Sequence, residues 1–246
     1  MRSRIALLIA HLVGNALLLW LGYYWLGLDE SDAEHLIWSA LVALTLIVGI
    51  AALHGFALAY FSGLTLKRAA NKVAHNLLPL VVLSLLTLLL YGGLTWASQS
   101  FGKTAYVASS SATLALRKPI PPSAAQRVLE SALGLLRWVA LPSLLLPLAA
   151  AISVEGWRAC NGRFLQKSKR CLYWIQVALL LAVAIRLPFK LFFWVPHISA
   201  FSGQMASFLL RAGLGYLLFV TAALALDFFT SSGNPRETQP TTVASP

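Results

Sequence analysis

Six long apolar stretches constrain the fold of this chain more than any other feature of its sequence. They lie at residues 5–27, 36–60, 77–97, 132–153, 172–195 and 203–228. A helix needs about 20 mostly apolar residues to cross the hydrocarbon of a bilayer, and every stretch meets that length. Lipid offers no hydrogen-bond partners, so each stretch has to satisfy its own backbone groups as a helix. We therefore predict an all-α integral membrane bundle of six transmembrane helices.

The composition agrees with a membrane location. Hydrophobic residues make up 59% of the chain and charged residues 11%, whereas soluble domains carry about 25% charged residues. We predict one polytopic membrane domain at residues 1–229, which leaves no room for a separate catalytic domain. Residues 230–246 are rich in Pro, Ser and Thr, and we predict that they form a disordered cytoplasmic tail.

The placement of the charges predicts the orientation. The net charge is +11, and basic residues cluster before the first stretch, at 67–72 and at 158–170. With six spans these three regions lie on one side, which the positive-inside rule assigns to the cytoplasm together with both termini. The acidic loop 29–34 then lies outside. Short basic runs beside apolar spans indicate contact with anionic lipid headgroups and not with nucleic acid, and they favour a bacterial inner membrane.

Residues 98–131 do not fit this scheme. They should lie outside, yet they carry four basic residues, and the apolar piece at 105–116 is short for a span. We predict that this segment is re-entrant or lies in the membrane interface. A full crossing here would invert the orientation of the second half of the chain.

Small residues recur every four positions on the first two spans and predict a tight antiparallel hairpin, because small side chains let helices approach closely in lipid. These positions are Ala6, Ala10 and Gly14 on span one, and Ala51, Gly55 and Ala59 on span two.

Two histidines are predicted at a similar depth on these neighbouring spans. Helical rise places His11 and His54 about 10 Å inside the same membrane face. Polar residues inside a membrane point to function, and this pair could ligate a haem iron or share a metal with other groups. The alternative is a hydrogen-bond network among His11, Asn15 and His54. Tight helix packing leaves little room for a haem macrocycle, so we expect no resident cofactor. The alternative is a haem held by this pair.

A second group of polar residues lies near the outer ends of spans five and six. Arg186 and Arg211 should lie at similar depth, with Lys190 nearer the surface and Ser207 on the face of Arg211. Two guanidinium groups at one level suit a phosphate or carboxylate, so these four residues form a predicted anion- or lipid-binding collar. The alternatives are snorkelling to the outer surface or pairing with the acidic loop.

The chain shows none of the common catalytic motifs. It lacks a P-loop, G-x-S-x-G, H-E-x-x-H and C-x-x-C. We expect a non-enzymatic membrane component, such as a subunit, an anchor or a lipid-contacting scaffold. Its expected partners are anionic membrane lipid and either another protein or a second copy of the chain. The alternatives are a small transporter or channel for an anionic solute that uses Arg186 and Arg211, and an intramembrane haem or metal protein that uses His11 and His54.

Overall fold

The computed structural model describes residues 2–29, 31–162, 164–196 and 200–231. These residues form helices and no strand. The predicted tail lies outside the described residues from 232 onward. The α-helices are α1 (Arg2–Leu26), α2 (Ala33–Phe61), α3 (Leu66–His75), α4 (Leu77–Gln99), α5 (Phe101–Leu116), α6 (Pro122–Leu135), α7 (Leu141–Glu155), α8 (Leu165–Ser168), α9 (Cys171–Leu181), α10 (Leu187–Phe193) and α11 (Phe201–Ser231).

Six helical stretches are long and apolar enough to cross a membrane, which confirms the predicted all-α architecture of a multi-pass membrane protein. They are Ser3–Leu26, Ala33–Phe61, Leu77–Gln99, Pro122–Asn161, Cys171–Phe193 and Phe201–Ser231. Each overlaps one of the apolar stretches identified in the sequence, and the boundaries agree within a few residues for five of them. The fourth helix begins ten residues earlier than the stretch that predicted it.

Two of these stretches contain a π-helical turn just before a proline. Leu136–Ala140 precedes Pro142, and Ala182–Arg186 precedes Pro188. Proline has no N–H, and its ring crowds the carbonyl four residues earlier, so a wider turn keeps the chain helical at both positions. The fifth helix continues through Pro188 to Phe193.

Residues 98–131 form a helical hairpin in which α5 packs along α6. Arg117 ends α5 in the left-handed backbone conformation, with φ of 51°. Helix α6 then runs into α7 without a break, in a helical stretch of 40 residues. That stretch is about 60 Å long, roughly twice the thickness of the hydrocarbon layer, so α6 extends beyond one membrane crossing if α7 occupies the hydrocarbon.

The small residues of α2 face a different neighbour from the one expected. Ala51 and Ala59 belong to a buried cluster with residues of α3, α4 and α7. A Cβ atom on Gly55 would lie 2.7 Å from the Cδ1 atom of Leu80, so α4 approaches α2 closely at that position. Ala6 and Ala10 are exposed. The two stripes therefore do not pack against each other, because α2 is central and uses its small face for the interior of the bundle.

Helices α1 and α2 still form a hairpin, but through glycine–leucine contacts. A Cβ atom on Gly14 would lie 2.9 Å from Leu53, and one on Gly49 would lie 2.6 Å from Leu18. At the turn between the helices, the Asp32 side chain caps α2 by accepting a hydrogen bond from the backbone N–H of His35. That hydrogen bond holds the pKa of Asp32 below its ordinary value.

Candidate functional site

Three ionisable side chains from three helices meet at one end of the bundle: His11 of α1, His54 of α2 and Asp227 of α11. The Nδ1 atom of His54 lies 3.2 Å from Oδ2 of Asp227. The two imidazole rings are 5.8 Å apart between centroids and nearly perpendicular, at 75°. One ligand atom from each residue lies within 4.8 Å of the other two. We call this group the histidine–aspartate triad.

Helix directions explain why the three residues meet. His11 follows the start of α1, whereas His54 and Asp227 precede the ends of α2 and α11. Since α2 packs against both other helices, the start of α1 lies beside the ends of α2 and α11. A rise of about 1.5 Å per residue places the triad roughly 6–14 Å from these helix ends.

The triad is buried on two sides and accessible on one. His11 is 0% exposed and Asp227 is 3% exposed, whereas the side chain of His54 is 28% exposed. His54 is therefore the member of the triad with the most exposed side chain. Since an isolated carboxylate is costly to bury, the contact with His54 gives Asp227 its partner.

The hydrogen bond of His11 leaves one ring nitrogen without a partner. Its Nδ1 atom lies 3.2 Å from the carbonyl oxygen of Leu7, and a carbonyl can only accept a hydrogen bond. A neutral ring in this hydrogen bond carries its proton on Nδ1 and leaves a lone pair on Nε2. Nε2 is buried without a hydrogen-bond partner among the described residues. The backbone of Leu53 also lies beside the ring. A buried, unpaired imidazole lone pair is suited to binding a metal ion.

Asn15 does not join the two imidazole rings. Its side-chain Nδ2 donates to the backbone carbonyl of His11 at 2.9 Å. The hydrogen-bond network expected among His11, Asn15 and His54 is therefore not formed. Instead, Asn15 bonds to the His11 backbone within α1, and His54 bonds to Asp227.

Sequence reasoning missed Asp227 as a member of the site. Asp227 lies near the end of the last apolar stretch, 203–228. One signal was available in the sequence: Asp227 lies near the end of an apolar helix, at a depth similar to that of His54 and on the same side of the membrane. No pairing rule in the sequence identifies α11 as a neighbour of α2.

The donor set is suited to a single ion more than to a haem. Two imidazole nitrogens and a carboxylate oxygen are ligands of zinc and of non-haem iron. Two ligand atoms that each lie about 2.1 Å from a tetrahedral ion are roughly 3.4 Å apart. Side-chain rotations that move the ligand atoms of the triad by about 1 Å would therefore bring them to the spacing that such an ion requires. A macrocycle would need a wide gap between α1 and α2, but Gly14 and Leu53 are in contact close to both histidines.

The members of the predicted collar differ in their exposure. Arg211 is only 8% exposed, whereas Arg186 and Lys190 are exposed. The Nε atom of Arg211 donates to the carbonyl of Ser207 at 3.1 Å. Its Nη1 atom donates to carbonyls at the end of α10, those of Leu191 (3.2 Å), Phe192 (3.4 Å) and Trp194. Arg211 thus satisfies the open carbonyls of a helix terminus, and the anionic ligand expected at the collar stays a prediction.

Comparisons with protein-family models, with curated proteins and with solved structures give no match to this chain.

Proposed function

We propose that this protein is a non-enzymatic multi-pass membrane component whose central feature is a divalent transition-metal ion held by His11, His54 and Asp227. The observation that carries the proposal is the buried Nε2 atom of His11, which has no partner among the described residues and lies beside a histidine–carboxylate pair. The ion would link three helices: α1, which is the first of the bundle, α2, and α11, which is the last.

The ligands favour zinc or ferrous iron over calcium or magnesium. Imidazole is a good ligand for zinc, copper, iron and nickel, whereas calcium and magnesium prefer oxygen donors. Three protein ligands leave one coordination position of a tetrahedral ion open. Since His54 is the most exposed member, we expect the open position on its side of the triad.

A role as a transporter or channel for an anionic solute has less support. That role needs two guanidinium groups free for one anion, but the Nε and Nη1 donors of Arg211 are bonded to carbonyls of the same chain. Exposed Arg186 and Lys190 are better placed to contact anionic headgroups of the outer leaflet. The positive-inside rule supports a bacterial inner membrane with both termini in the cytoplasm.

A metal titration tests the proposal. The protein is purified in detergent without a histidine tag, with Cys160 and Cys171 replaced by Ser to remove exposed thiols, and stripped with a chelator. Zn²⁺ binding is followed calorimetrically and Co²⁺ binding by its visible spectrum. We expect one ion per chain and at least 100-fold weaker binding in His11→Ala and Asp227→Asn.

The matched controls replace histidines outside the triad. His35→Ala and His75→Ala change exposed histidines and should leave affinity and stoichiometry unchanged. Equal affinity in wild type and His11→Ala, or loss of binding in the control variants, would overturn the proposal. Co-purification from the membrane tests separately whether the protein binds a partner protein or a second copy of its own chain.

A further inference from the structure

Helix α3 is an amphipathic helix at the end of the bundle, in a segment that the sequence suggested was a basic loop. It lies between the end of α2 and the start of α4 and contacts both of them and α7. Its inward side chains, Ala69 and Val73, are 0% and 4% exposed. Its outward face carries Lys67, Arg68, Asn71, Lys72 and His75.

Specific contacts hold α3 in place. Its first turn is capped by Thr65, whose hydroxyl accepts from the backbone N–H of Arg68. After its last turn, Asn76 donates through Nδ2 to the carbonyl of Ser153 at 3.3 Å. The Oδ1 atom of Asn76 lies so close to Gly156 that a Cβ there would be 2.6 Å from it, and Gly156 has φ of +64°. The basic face is therefore fixed to α7 and presented as a preformed surface.

The outward face of α3 borders a shallow, open groove whose lining residues all lie within residues 64–75. This groove, which we call the α3 groove, has a volume of about 450 Å³ and is lined by Leu64, Arg68, Asn71, Lys72 and His75. Lys67, Arg68 and Lys72 form no ion pair with a carboxylate in the part of the chain that the structure describes. Exposed Arg158 follows Gly156 in the adjoining 3₁₀ turn and adds positive charge nearby.

We propose that the α3 groove binds the headgroup of an anionic phospholipid at the end of the bundle that holds the triad. Helix α3 joins the ends of two membrane-spanning helices, so it lies at headgroup level. The cations and the Asn71 amide suit a phosphate group, and Leu64 contributes an apolar contact for the glycerol and acyl region. Basic residues near a membrane surface attract anionic lipid. This site is distinct from the outer collar and does not depend on metal binding.

Native mass spectrometry of the full chain tests this inference. The delipidated protein in detergent is titrated with phosphatidylglycerol, and with phosphatidylcholine as the zwitterionic control. We expect one tight phosphatidylglycerol site that the triple variant Lys67→Gln, Arg68→Gln and Lys72→Gln weakens roughly 100-fold, equivalent to about 1 kcal/mol per cation removed. All three side chains are exposed, so the variant should fold.

The matched control removes three cations from the α5–α6 hairpin. Lys103→Gln, Arg117→Gln and Lys118→Gln give the same change in net charge and should leave the tight site intact. The variant Lys67→Arg with Lys72→Arg keeps the charge and should also retain it. Equal weakening in both triple variants, or no weakening in the α3 variant, would overturn the inference. Selective loss of an acidic protein partner with unchanged phosphatidylglycerol binding would overturn it as well.

Discussion

The Nδ1 atom of His54 lies 3.2 Å from Oδ2 of Asp227, across 173 positions of sequence. The two members differ in environment, because Asp227 is 3% exposed and the His54 side chain is 28% exposed. The carboxylate therefore depends on its partner more than the imidazole does. Loss of one member should not have the same consequence as loss of the other.

In metal-free protein, His54→Ala should destabilise the bundle more than Asp227→Asn. Removing the imidazole leaves a buried carboxylate without its partner, which costs about 3 kcal/mol, whereas the Asn amide is neutral and keeps one acceptor oxygen. The double variant should be more stable than His54→Ala alone. Unfolding in mixed micelles, with chelator present, measures the free energy of each variant.

His35→Ala provides the control, since its partner Asp32 is an exposed carboxylate. We expect a change below about 1 kcal/mol there, as for other exposed ion pairs. Strictly additive effects of His54→Ala and Asp227→Asn would contradict a coupled pair.

The sequence was sufficient to identify two members of the triad but not the third. Histidines inside apolar stretches stand out, and helical rise places His11 and His54 at similar depth. Asp227 lies near a helix end, where acids are ordinary, and its role depends on α11 packing against α2. That packing is a tertiary contact between distant segments, so neither periodicity nor spacing reports it.

Gly55→Val should destabilise the protein by about 1–3 kcal/mol, the usual cost of overpacking a core. A Cβ at this position would lie 2.7 Å from Leu80 Cδ1 and 3.4 Å from Val73 Cγ1, and both neighbours are buried. Gly92→Val is the matched control, because nothing lies within 4 Å of a Cβ there. Thermal unfolding in detergent compares the two. Equal losses would show that the effect comes from helix propensity and not from α2–α4 contact.

The features of the fold that depend on the solvation of the chain by lipid were predictable from the sequence. Long apolar stretches have only one stable arrangement in lipid, so helix number and approximate limits follow from length alone. Which faces meet depends on side-chain fit, and the small stripe at Ala51, Gly55 and Ala59 could serve any neighbour. Helix α3 was missed because its core-facing side chains, Ala69 and Val73, are too few to stand out among basic residues.

Arg211→Leu should loosen the end of α10, whereas Arg186→Leu should have little effect on stability. The first change removes the donors to three carbonyls between Leu191 and Trp194, and a hydrogen bond from a charged donor contributes about 1.5–3 kcal/mol. Arg186 is exposed. Hydrogen exchange over residues 187–196 measures the loosening. Unchanged exchange together with lost anionic lipid in Arg211→Leu would instead support an anion-binding role for this residue.

Cysteine accessibility tests the predicted orientation, under which the triad and the α3 groove lie on the cytoplasmic side. Cys160 and Cys171 are exposed free thiols in the basic region that the positive-inside rule assigns to the cytoplasm. A membrane-impermeant maleimide should not label them in intact cells and should label both after permeabilisation. With both replaced by Ser, Ser31→Cys in the acidic loop should be labelled in intact cells. Labelling of Cys160 and Ser31→Cys in the same compartment would mean an even number of crossings between them, and therefore that the α5–α6 hairpin adds a crossing to the three expected there.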